Sequence, residues 1–181
     1  IRGRTVWAKT WRLTAGHIDI YLLDTDLQEN SEEDRRITEQ LYCSDLDIRL
    51  QQEMILGIGG VKALYAMGLS PTIWHINEGL PALQILERCR RHVAEGMDFS
   101  CAFELVACST VFTTHTPVPA GHEIFDNQMM LDYFHPFLEE MGISPEQFLS
   151  LGASSGGQEF NFTTLCIRAS RFHNGVSRIH R

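Results

Sequence analysis

Lysine is nearly missing from this chain. Its 181 residues include Lys9 and Lys62 and no other lysine. With arginine they give 15 basic groups against 23 acidic ones, a net charge of −8. That balance leaves no electrostatic footprint for nucleic acid and no polybasic patch for a membrane surface. No run approaches the roughly 20 apolar residues that cross a bilayer, and no signal-peptide pattern opens the chain. Cysteine lacks any pairing pattern. Cys43, Cys89, Cys101, Cys108 and Cys166 are odd in number and form no CxxC, which argues for reduced thiols in a cytoplasmic protein. Metal-binding spacing is lacking too. His122-Glu123 has no second histidine to complete HExxH, and Pro117 and Pro119 keep His115 and His122 off one helix face, so no metal is expected. No Ser-His-Asp set can be argued from order alone, and no internal repeat or low-complexity segment is visible.

What is present reads as an ordinary globular chain, 44% hydrophobic and 21% charged. The length fits one domain or one lobe of a larger enzyme. The chain starts at Ile1 and stops at Arg181, just after the strand-like run Gly175–Ile179, so residues 1–181 are expected to be a single segment of a longer protein. Residues 1–24 predict a hairpin, with strands at 5–13 and 17–24 and the second of them buried. Residues 31–68 predict helices. Ser31 opens one to about Tyr42, and Ser44 opens a second that runs to about Met67 and stops at Gly68. Trp7, Trp11 and Trp74 are expected in the core.

Residues 71–181 change character. Pro71–Ile76 and Thr110–Thr114 predict strands, with helices at about 78–93 and 99–107 between them. Strand, helices, strand is the pattern of a right-handed parallel crossover. Ser144-Pro145-Glu146-Gln147 is a capping box with proline at the first helical position. A flexible loop at 153–157 and a helix over about 160–170 follow. The fold class is α/β with a hairpin at the front.

Ligands in open parallel sheets bind outside the carboxyl ends of the strands. Two polar clusters fall there: Asn77-Glu78-Gly79 after the first strand and His115-Thr116-Pro117 after the second. Both clusters could hydrogen-bond a polyol. Equally, Asn77 could cap a helix starting at Glu78, and His115 could satisfy a loop. Gly57-Ile58-Gly59-Gly60 looks like a phosphate cradle but follows no strand, so it predicts close packing of a helix through small residues.

The ordered motifs go further than any one of them. Tyr21-Leu22-Leu23-Asp24-Thr25, Arg49-Leu50-Gln51-Gln52-Glu53, Leu56-Gly57-Ile58-Gly59-Gly60-Val61 and Trp74-His75-Ile76-Asn77-Glu78-Gly79 come first. Val111-Phe112-Thr113-Thr114-His115-Thr116-Pro117-Val118-Pro119-Ala120-Gly121-His122, Phe160-Asn161-Phe162-Thr163 and Asn174-Gly175-Val176-Ser177-Arg178-Ile179-His180 complete the set. Over essentially its whole length the chain resembles the α-glucan (glycogen or maltodextrin) phosphorylases of the shorter bacterial and archaeal type.

The resemblance implies a two-lobed glycosyltransferase of the GT-B type, with Rossmann-like lobes, this chain being the later part of the N-terminal, glucan-binding lobe. It implies phosphorolysis of α-1,4-glucan to glucose 1-phosphate, with α-1,4-glucan or maltodextrin, phosphate and the C-terminal lobe as partners. It also leaves room for a homo-oligomer. Pyridoxal phosphate would be held by a lysine of that other lobe, and neither Lys9 nor Lys62 lies in the family's cofactor motif, so the chain alone is expected to be inactive. The family's glycine-rich phosphate segment also lies outside this sequence. His115 matches the histidine whose backbone carbonyl faces the sugar at the cleavage site. Asn77 and Glu78 match the asparagine–acid pair beside the glucosyl pocket. Thr116 follows His115 in that motif, and Asn174 lies in the NGV segment near the lobe junction. Cys43-Ser44-Asp45 matches the gate loop only loosely, and Leu80 stands where the family usually has histidine. A glycogen-synthase-like nucleotide-sugar transferase and an inactive carbohydrate-binding protein are the alternatives.

Overall fold

A short parallel sheet, its first strand alternating between buried and exposed residues, sets the architecture. A computed structural model of the chain describes residues 1–41, 43–116, 122–154 and 157–178. The expected motif positions at 117–121 and 179–180, the helix end at Tyr42 and part of the 153–157 loop lie outside those residues. Strands β3 (Trp74–Asn77), β4 (Thr110–Thr114) and β7 (Phe172–Gly175) form a three-stranded sheet in the order β3-β4-β7. Both pairings are parallel, with Asn77 opposite Thr113 and Thr113 opposite Asn174. Trp74, Ile76 and Phe112 point into the core, and His75 and Asn77 alternate to the open face, as the two-residue period of a strand requires.

Helices α4 (Gln84–Ala94) and α5 (Phe99–Cys108) supply the crossover between β3 and β4. Asp98 caps α5 by accepting from the Cys101 N–H at 3.1 Å. Arg88 on α4 ties the crossover to the start of β4. It is buried, donates to Thr110 Oγ1 at 2.8 Å and lies 4.7 Å from the Trp74 ring centre. Burial lowers its pKa to about 10.

The rest of the core is built on phenylalanine. Strands β5 (Ile124–Asp126) and β6 (Glu159–Asn161) pair antiparallel, and around them pack α6 (Asn127–Met141), α7 (Pro145–Gly152) and α8 (Phe162–Arg168). Phe125, Phe134, Phe148, Phe160 and Phe162 are all fully buried, and neighbouring ring centres are 5.0 to 5.8 Å apart. The capping box predicted at Ser144 is present, with Ser144 and Gln147 exchanging both hydrogen bonds.

Several expectations need correction. Strands β1 (Lys9–Ala15) and β2 (Ile18–Asp24) do form the antiparallel hairpin, but they project from the body. Trp7 and Trp11 are each 56% exposed and Leu22 is 51% exposed, so the buried second strand and two of the three core tryptophans are not found. The helix predicted from Ser31 is only one turn, α1 (Glu32–Arg35), followed by turns. The long second helix is interrupted. Here α2 (Leu46–Met54) passes through a π-helical turn at Ile55–Gly59 into α3 (Gly60–Ala66). The last strand ends at Gly175 rather than continuing toward Ile179.

The glycine motif at that π-turn holds one demanding position. A Cβ on Gly57 would lie 2.8 Å from the Gln84 backbone nitrogen and 2.9 Å from Leu83 Cβ, whereas Gly59 has ordinary contacts and Gly60 open space. Close packing through small residues therefore applies to Gly57, where the π-turn meets the start of α4. Gly57→Ala is expected to cost about 1–3 kcal/mol by overpacking, while Gly60→Ala gains about 0.5–1 kcal/mol from the better helix former. Thermal unfolding of the two variants checks this, and equal losses at both positions would refute it.

Candidate functional site

The strand-end clusters meet at one edge of the sheet. Glu78 follows β3 with φ of +62°, a left-handed conformation that costs a residue with a side chain about 1–3 kcal/mol. Its N–H donates to the Thr113 carbonyl at 2.9 Å, extending the ladder one residue past β3. The chain then runs through turns, Ala82 to Gly79 and Gln84 to Pro81 at 2.9 and 3.0 Å, before α4 begins at Gln84. A helix starting at Glu78 with Asn77 as its cap is therefore not found. The left-handed Glu78 and the turns around Pro81 delay it by six residues.

That backbone places the Glu78 carboxylate, only 7% exposed, beneath the end of β4. Its Oε1 accepts from the His115 N–H at 2.5 Å and lies 3.2 Å from His115 Nδ1. Its Oε2 accepts from the Thr114 hydroxyl at 3.4 Å. Burial pushes the Glu78 carboxyl upward, but the His115 N–H, the hydroxyl and N–H of Thr116 and the His115 ring outweigh it and hold the group below the ordinary carboxylate range. Glu78 is thus charged at neutral pH and clamps the two strand ends together.

Asn77 completes the setting of His115. Its Nδ2 is 3.2 Å from His115 Nε2. The assignment that satisfies both Glu78 and Asn77 has Nδ1–H directed at Glu78 and Nε2 accepting from Asn77. Thr116 Oγ1 lies 3.5 Å from Nδ1. Asn174 sits one strand further along the same edge, reached through Thr113, whose hydroxyl donates to Asn174 Oδ1 at 2.9 Å and lies 2.8 Å from His75 Nε2. His75 and Thr113 were not singled out from the sequence. Their signal is strand alternation, which puts both on the face that carries Asn77 and Asn174.

The structure thus brings Asn77, Glu78, His115 and Thr116 together and joins Asn174 to them by a polar relay. The cluster lies at an open edge: His115 is 42% exposed through its side chain. Such an arrangement offers hydroxyl-bearing ligands an amide, an imidazole and backbone groups held rigidly by one buried carboxylate. Beneath the turn at 79–83 lies a cavity of about 220 Å³, lined by Arg49, Gln52, Glu53, Leu56 and Leu80 among others. Leu80 presents a branched alkyl group there.

Neither lysine fits a Schiff-base site. Lys9 Nζ is paired with Asp24 at 3.1 Å and donates to the Asp26 carbonyl at 3.1 Å on the hairpin, and Lys62 is exposed on α3. Among the described residues no three His, Cys, Asp or Glu side chains could jointly hold a metal ion, and no helix is long and apolar enough to cross a membrane.

A cluster of hydrogen-bonding groups at the carboxyl edge of a parallel α/β sheet is the class of site that these residues define. The chain is phosphorylase-like over nearly its whole length. It is 42% identical to maltodextrin phosphorylase of Thermococcus litoralis across 99% of this chain and 21% of that protein. It is 36% identical to glycogen phosphorylase of Mycobacterium tuberculosis across 96% of this chain and 21% of that protein. Glycogen phosphorylase of Aquifex aeolicus is 31% identical across the full chain and 26% of its own length. The chain therefore spans about a fifth to a quarter of these relatives. No family model matches it.

Proposed function

We propose that this chain is the sugar-facing part of an α-glucan phosphorylase of the GT-B type, acting on α-1,4-glucan and phosphate to give glucose 1-phosphate. The observation that carries this reading is the Glu78 carboxylate locking Asn77 and His115 at the carboxyl edge of a parallel sheet, in a chain similar throughout to maltodextrin and glycogen phosphorylases. In the proposed reaction the His115 backbone faces the scissile sugar, Asn77 and Glu78 shape the glucosyl pocket, and Thr116 and Asn174 contact glucan. Glu78 acts by fixing the His115 main chain, because its carboxylate is spent on that N–H and ring rather than directed to solvent.

Pyridoxal phosphate, which supplies proton transfer through its phosphate when bound, has no fitting lysine here and belongs to the lobe that this chain lacks. We place the protein in the cytoplasm, a setting that suits five free thiols. Leu80 favours one second reading, a carbohydrate-binding protein without turnover, since an alkyl group there donates no hydrogen bond. The test is release of glucose 1-phosphate from maltodextrin and phosphate by the intact protein that carries this chain. Turnover establishes the first reading; maltodextrin binding without turnover establishes the second. The 181 residues by themselves are expected to be silent.

A further inference from the structure

One buried acid is left over by this account. Glu53, on α2, has a side chain only 1% exposed, yet neither of its oxygens has a hydrogen-bond partner of ordinary geometry. An unsatisfied buried carboxylate is costly and calls for a reason. The charged and titratable groups around it come from three places. Arg49 on its own helix stands 3.7 Å from Oε1, close enough to attract but too far to hydrogen-bond. Glu123, ahead of β5, is ion-paired to Arg49 and interacts with the Glu53 carboxyl. Cys166 on α8 is buried where it feels both Glu53 and Glu78.

Glu123 touches the sugar edge from behind. A Cβ on Gly79 would lie 3.4 Å from Glu123 Cγ and 3.6 Å from its Cβ, and the Glu123 carbonyl accepts from the Phe162 N–H at 2.9 Å. Glu123 is therefore wedged between α8 and the residue that follows Glu78. We propose that Glu53 is a positioning residue for the sugar site, a protonated acid that, with Arg49, holds Glu123 against Gly79 and so fixes the turn carrying Asn77 and Glu78. This rests on the phosphorylase reading and names a further residue for it.

Two facing carboxyls cannot hydrogen-bond while both are ionised, so a proton on Glu53 supplies the missing donor. Burial first, then the charge of Glu123, push Glu53 well above the ordinary carboxylate range, against the opposing pull of Arg49. Losing that proton would leave two buried carboxylates sharing one guanidinium, with the Glu78 carboxylate beyond Gly79. Repulsion would then drive Glu123 off Gly79. The π-turn directly after α2, with Gly57 seated against Leu83 and Gln84, locks Glu53 into this position; such turns are common at functional sites.

The experiment compares wild type, Glu53→Gln and Glu53→Ala in the intact protein, recording kcat and KM for maltodextrin and the unfolding midpoint across pH. Gln imitates the neutral acid. It is expected to keep KM within about twofold of wild type near neutrality and to abolish a rise in KM at alkaline pH, whereas Ala raises KM about tenfold with a smaller change in kcat. A glutamine variant as impaired as alanine, or one that keeps the alkaline rise, overturns the proposal. A second readout does not need turnover. A carboxyl held protonated only in the folded state loses stability as pH rises above its unfolded value, so the glutamine variant's advantage in midpoint should widen from about pH 5 to about pH 9. A gap that stays flat overturns the proposal whether or not phosphorolysis is seen. A wild type that makes no glucose 1-phosphate overturns only the functional reading.

Discussion

Glu78→Ala is expected to lower kcat/KM for maltodextrin phosphorolysis by about 10- to 100-fold, with Glu78→Gln in between. The carboxylate accepts the His115 N–H at 2.5 Å and faces His115 Nδ1 at 3.2 Å. A hydrogen bond to a charged group is worth about 1.5–3 kcal/mol, and an orphaned buried donor costs about 1–3 kcal/mol. At about 1.4 kcal/mol per decade that gives the stated range, provided the loss appears where the sugar is bound. Gln keeps one acceptor for the N–H but loses the charge facing the imidazole. The pH signature is separate. Glu78 titrates below its ordinary value, so its stabilisation is complete above the unfolded carboxyl range and is lost as pH falls through the lowered folded value. Below that point wild type and Glu78→Gln should converge in unfolding midpoint. Retention of kcat/KM within about twofold in Glu78→Ala would remove Glu78 from the site.

The strand ends were legible because period-two burial is a local property. Trp74–Asn77 carries it, with Trp74 and Ile76 buried and His75 and Asn77 exposed, and the β-branched run Thr110–Thr114 gives β4 its bounds. Ser144 and Gln147 were legible because a capping box is complete within four residues. The helix α6 was not anticipated: Pro136 breaks the helical pattern in its interior, and the cap at Asp126 and the left-handed Gly142 that bound it act against that signal. The hairpin misled for a different reason. The near-continuous apolar run Ile20–Leu23 reads as a buried strand, but burial needs a covering element, and of the two hairpin strands it is β2 that contacts the body, near Leu23 and the π-turn. Asn77, Glu78 and His115 were singled out through the strand-end rule. Their mutual geometry was not, because it depends on the left-handed backbone at Glu78, which no propensity scale assigns to glutamate. Glu53 and Glu123, seventy residues apart, leave no sequence signal of their contact.

Gly152→Ala is the substitution expected to damage the fold most for its size. Gly152 ends α7, and a Cβ built there would lie 2.5 to 2.6 Å from three carbons of the Phe160 ring. Phe160 cannot swing clear. It is fully buried, stacked on Phe148 with ring centres 5.0 Å apart, and edge-on to Phe162 at 5.8 Å. Moving it would shift the ring chain that joins α7 to β6 and α8, so one added methyl has no cheap outlet. Overpacking of this kind costs about 1–3 kcal/mol, and for a domain of this size each kcal/mol lowers the midpoint by about 2–4 °C. The mechanism has its own test. Phe160→Leu alone opens a cavity and also destabilises, but in Gly152→Ala/Phe160→Leu the smaller side chain makes room for the methyl. The double variant should therefore lose clearly less than the sum of the two single losses. Strict additivity would mean that the clash at Phe160 is not what makes glycine necessary at position 152.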